Sequence, residues 1–135
     1  MVEEIKHNDE LLAIIVRDNF STPGITFFTA NELSQQLAYM QHPEGKIIEP
    51  HIHKPVRREV MYTQEVLFIK EGKLKVDFYD DDQTYLESKY LHKGDVILLI
   101  KGGHGFEVME NLKMIEVKQG PFAGENDKVR FSKTK

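Results

Sequence analysis

Leu74-Lys75-Val76-Asp77-Phe78-Tyr79, followed at once by Asp80-Asp81-Asp82, alternates apolar and polar side chains and then stops at an acidic turn. Successive side chains of a strand point to opposite faces. The pattern therefore predicts an antiparallel strand with Leu74, Val76 and Phe78 inward and the other face towards water.

Working outward, the same arrangement recurs. Short apolar runs cover residues 11–16, 25–28, 36–40, 47–53, 63–69, 84–91, 96–100, 106–109 and 112–117. Between them stand turn signals such as Ser21-Thr22-Pro23-Gly24, His42-Pro43-Glu44-Gly45, Glu71-Gly72, Lys93-Gly94-Asp95 and Lys101-Gly102-Gly103. Many short strands separated by Gly, Pro and Asp predict an all-β sandwich or barrel. One segment competes: Thr29-Ala30-Asn31-Glu32 has the spacing of a helix capping box, ahead of a Leu33, Leu37, Met40 stripe. A single turn leading into a strand near residues 36–41 is the preferred reading. The tail from Gly120 is polar and reads as a loop or arm.

The chain has 135 residues, with 18 Lys+Arg against 22 Asp+Glu, a formal charge of −4. Its length predicts one domain: a barrel core over about residues 36–117, N-terminal strands at 11–28 and a C-terminal arm at 120–135. Mild acidity argues against binding nucleic acid through charge. No apolar run approaches the ~20 residues of a membrane helix. There is no cysteine, so disulfides, thiolate metal sites and cysteine nucleophiles are excluded. With no basic flank or small-residue cleavage site before residues 11–16, a secretory signal is not expected, and a cytoplasmic location is.

His51-Ile52-His53 is the sharpest chemical signal. In a strand both imidazoles would project from one face. Glu65 lies in the next predicted strand, and His104 follows the Gly102-Gly103 turn. Three imidazoles and one carboxylate make a nitrogen/oxygen ligand set suited to zinc, iron, nickel or manganese. A metal-free, mutually satisfied Glu/His network is the alternative. His7, His42 and His92 lie in polar or turn sequence and are expected at the surface.

Gly45, five residues, His51-Ile52-His53, then Glu65, six residues and Gly72 resembles the first motif of the cupin family. Gly94-Asp95-Val96 running through Gly102-Gly103 to His104 resembles the second. The resemblance spans about residues 36–117. It implies an antiparallel double-stranded β-helix, a jelly-roll barrel, holding one divalent transition metal through His51, His53, Glu65 and His104. Glu59 breaks the spacing to Gly72 and Glu65 keeps it, so residues 54–62 read as a longer loop. Arg57 and Arg58 at a barrel mouth would hold a carboxylate or phosphate, and Tyr62 and Phe106 would line the pocket.

The resemblance leaves the reaction open. One reading is a metal-dependent isomerase, epimerase or dioxygenase on a small sugar-like or oxo-acid substrate. A metal-independent sugar-nucleotide ketoisomerase is its variant. The other is a non-catalytic module for a small ligand or metal. A homodimer is also expected. Residues 11–16 are apolar on both alternating faces, and one barrel core covers only one of them.

Overall fold

The computed structural model describes residues 1–132. It is all-β, with 48% of residues in strands. In chain order these are β1 (Val2–His7), β2 (Glu10–Val16), β3 (Gly24–Phe27), β4 (Ala38–Gln41), β5 (Glu65–Tyr79), β6 (Tyr85–His92), β7 (Val96–Leu99) and β8 (Gly103–Lys118). A 3-10 turn at Gly124–Asp127 is the other regular element among the described residues. The chain divides into two compact units: Met1–Phe20 with the chain from Tyr62 onward, and Ser21–Met61.

The larger unit is one antiparallel sheet in the order β1-β2-β7-β5-β6, with β8 along the opposite edge of β5. β1 and β2 join through Asn8 and Asp9, at φ 52° and 64°. Both central residues of a two-residue primed hairpin are left-handed, and Asn and Asp tolerate that. β1 escapes the sequence reading because only Ile5 of it is buried, among charged neighbours.

β5 organises this sheet. The two apolar runs at 63–69 and 74–79 are one strand, not two. Its inward residues are Leu67 and Ile69, then Leu74, Val76 and Phe78, a change from odd to even positions. Irregular register against β8 between Ile69 and Leu74 absorbs the extra residue. Gly72, at φ +93°, sits there so close to Asn111 that a Cβ would lie 2.1 Å from its carbonyl oxygen. Glu71-Gly72 is therefore a bulge that redirects the strand rather than ending it.

The sheet curls. A straight strand of 15 residues would run about 50 Å. Glu65 opens β5 and His104 pairs with Phe78 near its far end, yet their side chains lie 3.9 Å apart. β5 and β8 must bend together into a half-barrel whose concave face holds Leu12, Ile15, Leu67, Ile69, Leu74, Val76, Phe78, Leu91, Ile97 and Leu99.

The second face of β5 is not wet, as the alternation predicts, but covered. Lys75, Asp77 and Tyr79 are all buried. Asp77 accepts a hydrogen bond from Ser88 Oγ and lies 3.6 Å from Lys75 Nζ. Tyr79 is met edge-on by Phe131 of the C-terminal arm, with ring centroids 5.0 Å apart. Buried polar groups on this face are thus paired.

Gly94-Asp95 also has a structural task. The Asp95 carboxylate accepts from Arg17 Nη1 at 3.0 Å, the Asp18 N–H at 2.9 Å and the His92 N–H at 2.8 Å. Arg17 reaches on to Glu3 at 2.7 Å and the Tyr90 carbonyl at 2.6 Å. One carboxylate and one guanidinium therefore tie the ends of β1 and β2 to the β6–β7 turn.

The smaller unit contains the β3–β4 hairpin, with Ile25 opposite Met40. No helix forms after Thr29. Its hydroxyl instead donates to Gln36 Oε1, whose amide bonds the Ala30 and Leu33 carbonyls, closing a turn before β4. Residues 47–53 are not a strand. Pro50 and Pro55 bracket the two histidines and cannot donate to a ladder.

Candidate functional site

The concave face of the larger unit gathers a polar cluster from three sources. β5 supplies Glu65, whose partner across the ladder is Lys118 of β8. Glu116, two residues earlier in β8, stands opposite Leu67 and brings its carboxylate close enough to act on Glu65. His104, at the start of β8, lies with Nε2 3.9 Å from Glu65 Oε2, too long for a hydrogen bond. Phe106 stacks on the imidazole at 5.3 Å between centroids and 24° between planes. The side chains of Glu65 and His104 are 13% and 28% exposed, so the pair is shielded yet reachable.

The electrostatics follow from that placement. Burial, and then the neighbouring Glu116 carboxylate, push Glu65 up to about 7 from an ordinary 4.5. Lys118 and Lys128 pull the other way. Burial and then Lys128 lower His104, while Glu116 opposes them. Near neutrality His104 is therefore an uncharged imidazole with a free lone pair, and Glu65 is protonated in part of the population.

Lys128 comes from the C-terminal arm, which is pinned on both sides of it. Asp127 accepts a hydrogen bond from Thr63 Oγ1, two residues before Glu65. Phe131 packs on Tyr79 and against Gly103, the residue before His104. Residues 128–130 thus bridge from beside Glu65 to beside His104.

Of the residues singled out from sequence, Glu65, His104 and Phe106 come together here. His51 and His53 lie in the smaller unit. Their rings meet edge to face at 5.1 Å, and His51 Nδ1 lies 2.8 Å from the Glu49 carbonyl oxygen. Arg57 and Arg58 are exposed in the same irregular segment, and Glu59 with them. Tyr62 lies over Lys101, with Nζ 5.9 Å from its ring centroid, and Lys101 pairs with Glu10. His7 and His92 lie near Asp80 and Asp95 at 3.7 and 3.8 Å. His42, expected at the surface, has a buried Nε2 with no hydrogen-bond partner. Among the described residues no three His, Asp or Glu side chains are already gathered at ligand distance.

Three site residues were missed from sequence: Glu116, Lys118 and Lys128. Glu116 carries a usable signal: Leu112, Met114 and Glu116 alternate onto one face, which puts a carboxylate on an apolar side. Lys128 carries none, because it sits in a polar tail.

No family model matches the sequence, and no curated protein or solved structure matches the chain. No helix among the described residues is long and apolar enough to cross a membrane.

Proposed function

We propose that this chain is a cupin-like protein that binds one divalent transition metal and uses it on a small polar substrate, in an isomerase, epimerase or dioxygenase type of reaction. The observation that carries the metal reading is the Glu65–Glu116–His104 cluster on the concave face. A largely buried carboxylate with a second, exposed carboxylate against it favours a proton or a cation at that place. A neutral imidazole beside them completes a nitrogen/oxygen donor set that zinc, iron, manganese or nickel accepts. Glu65 and His104 would hold the metal, with Glu116 alongside. When bound, the metal would supply Lewis-acid polarisation of a substrate oxygen or activation of water or oxygen. The motif spacing adds His51 and His53 to the ligands.

The test is elemental analysis of purified protein together with metal titration of its variants. One metal per chain is expected. His104→Ala and Glu65→Gln should each lower affinity strongly, because each removes a donor or its charge. His51→Ala and His53→Ala should do the same if the motif spacing is sound. His92→Ala and Glu59→Gln should leave it unchanged. Full affinity in both His104→Ala and Glu65→Gln would end the metal reading.

A further inference from the structure

The metal reading leaves the two ammonium groups at the site unexplained. Lys118 stands opposite Glu65 in the β5–β8 ladder and so shares its face. Lys128 follows Asp127 in the arm segment that runs from Thr63 to Gly103, and its charge acts on both Glu65 and His104. Neither was expected from the motifs, and nothing in the core requires them. Without a metal they offset the Glu65 and Glu116 carboxylates. A divalent cation on those carboxylates takes over that role and leaves two positive charges facing one site.

Resting on the proposed metal site, we infer that the substrate is a small anion, carrying a carboxylate or phosphate, and that Lys128 of the C-terminal arm with Lys118 of β8 binds its charged group next to the metal. The arm is suited to this. Its two anchors, Asp127 on Thr63 and Phe131 on Tyr79, hold the segment that carries Lys128 against the start of β5 on one side and the start of β8 on the other. Lys128 itself is exposed, so its ammonium can reach a ligand at the open side of the concave face. Charge balance makes the binding ordered, with the anion gaining affinity only once the metal neutralises the carboxylates that otherwise compete for the lysines. This narrows the substrate to an oxo-acid or a phosphorylated molecule and disfavours a neutral sugar.

Calorimetry tests this in two stages. Zinc is first titrated into metal-free protein. Malonate and methyl phosphate are then titrated separately into zinc-loaded and metal-free protein, which distinguishes a carboxylate from a phosphate ligand. At least one anion should bind the loaded protein, and bind the metal-free protein about tenfold more weakly or worse. Lys128→Gln and Lys118→Gln should each weaken anion binding by about tenfold without weakening zinc. Lys128→Arg should restore it, and Lys93→Gln, outside the site, should have no effect. Neither anion binding, equal binding without zinc, or an unaltered Lys128→Gln would overturn the inference and leave the metal site standing. Failure of zinc to bind in the first stage would overturn both.

Discussion

Glu65 is the residue on which the chemistry of the concave face turns. Its carboxyl is raised to about 7 by burial and by Glu116, so below that pH it is mostly protonated. A metal ligand must be deprotonated. Metal affinity should therefore fall by about tenfold per pH unit below about 7, and level off above it. His104, lowered from its ordinary value, is already neutral there and adds no slope of its own near pH 7. Calorimetry at pH 6 in two buffers of different ionisation enthalpy should register close to one proton released per metal bound. In Glu116→Gln the like charge is gone, the Glu65 carboxyl should drop towards its ordinary value, and the slope should move to lower pH. A pH-independent affinity between 5.5 and 7, as about a one-proton window, would show that Glu65 is not a ligand. The sequence already pointed to Glu65 through its place in a predicted strand and its spacing to Gly72. It said nothing of Glu116 as a neighbour, because that pairing depends on register across the sheet.

At the scale of elements, Gly72 decides how β5 serves two halves of one barrel. Read alone, Glu71-Gly72 looks like a turn between two strands. The parity of the inward residues on either side requires one unpaired step, and the left-handed backbone at Gly72 supplies it. Gly72→Ala should cost about 2–4 kcal/mol in urea unfolding, since a Cβ would meet the Asn111 backbone as well as an unfavourable φ. Loss within about 0.5 kcal/mol of zero would mean that the bulge is easily rearranged. Because the bulge also sets which residues face Glu65, the same variant should weaken metal binding even where it remains folded.

At the scale of the molecule, the expected dimer changes its footing. β2 is buried on both faces within one chain, with Ile14 and Ile15 at 1% and 0% exposure, so it offers no open apolar face. The outer side of β5 and β8 does. Phe68 lies opposite Ile115, and Val66 opposite Val117; Phe68, Ile115 and Val117 are 39%, 49% and 54% exposed. We propose that a second copy covers this patch, as closed twofold pairs commonly do. Light scattering after size exclusion should give a mass of two chains, and Phe68→Asp should shift it to one by placing a charge in the buried patch. A single-chain mass for the unaltered protein at micromolar concentration would refute the pairing.

The all-β content, most turn positions and inward apolar residues such as Leu74, Val76 and Phe78 were determined locally, because side-chain alternation and the backbone needs of Gly, Pro and Asp act within a few residues. The candidate donor Glu65 stood out locally as a carboxylate in an apolar strand, and His104 by its place after the Gly102-Gly103 turn and in the motif spacing. Tertiary structure alone decided that β5 is continuous, that its polar face is covered by Tyr85, Ser88 and Phe131, and that Glu116 and Lys128 join Glu65. Each of these depends on how far the sheet curls and where the arm lands. Curl is the sum of many small twists and one bulge along two long strands, and no short stretch of residues encodes that sum.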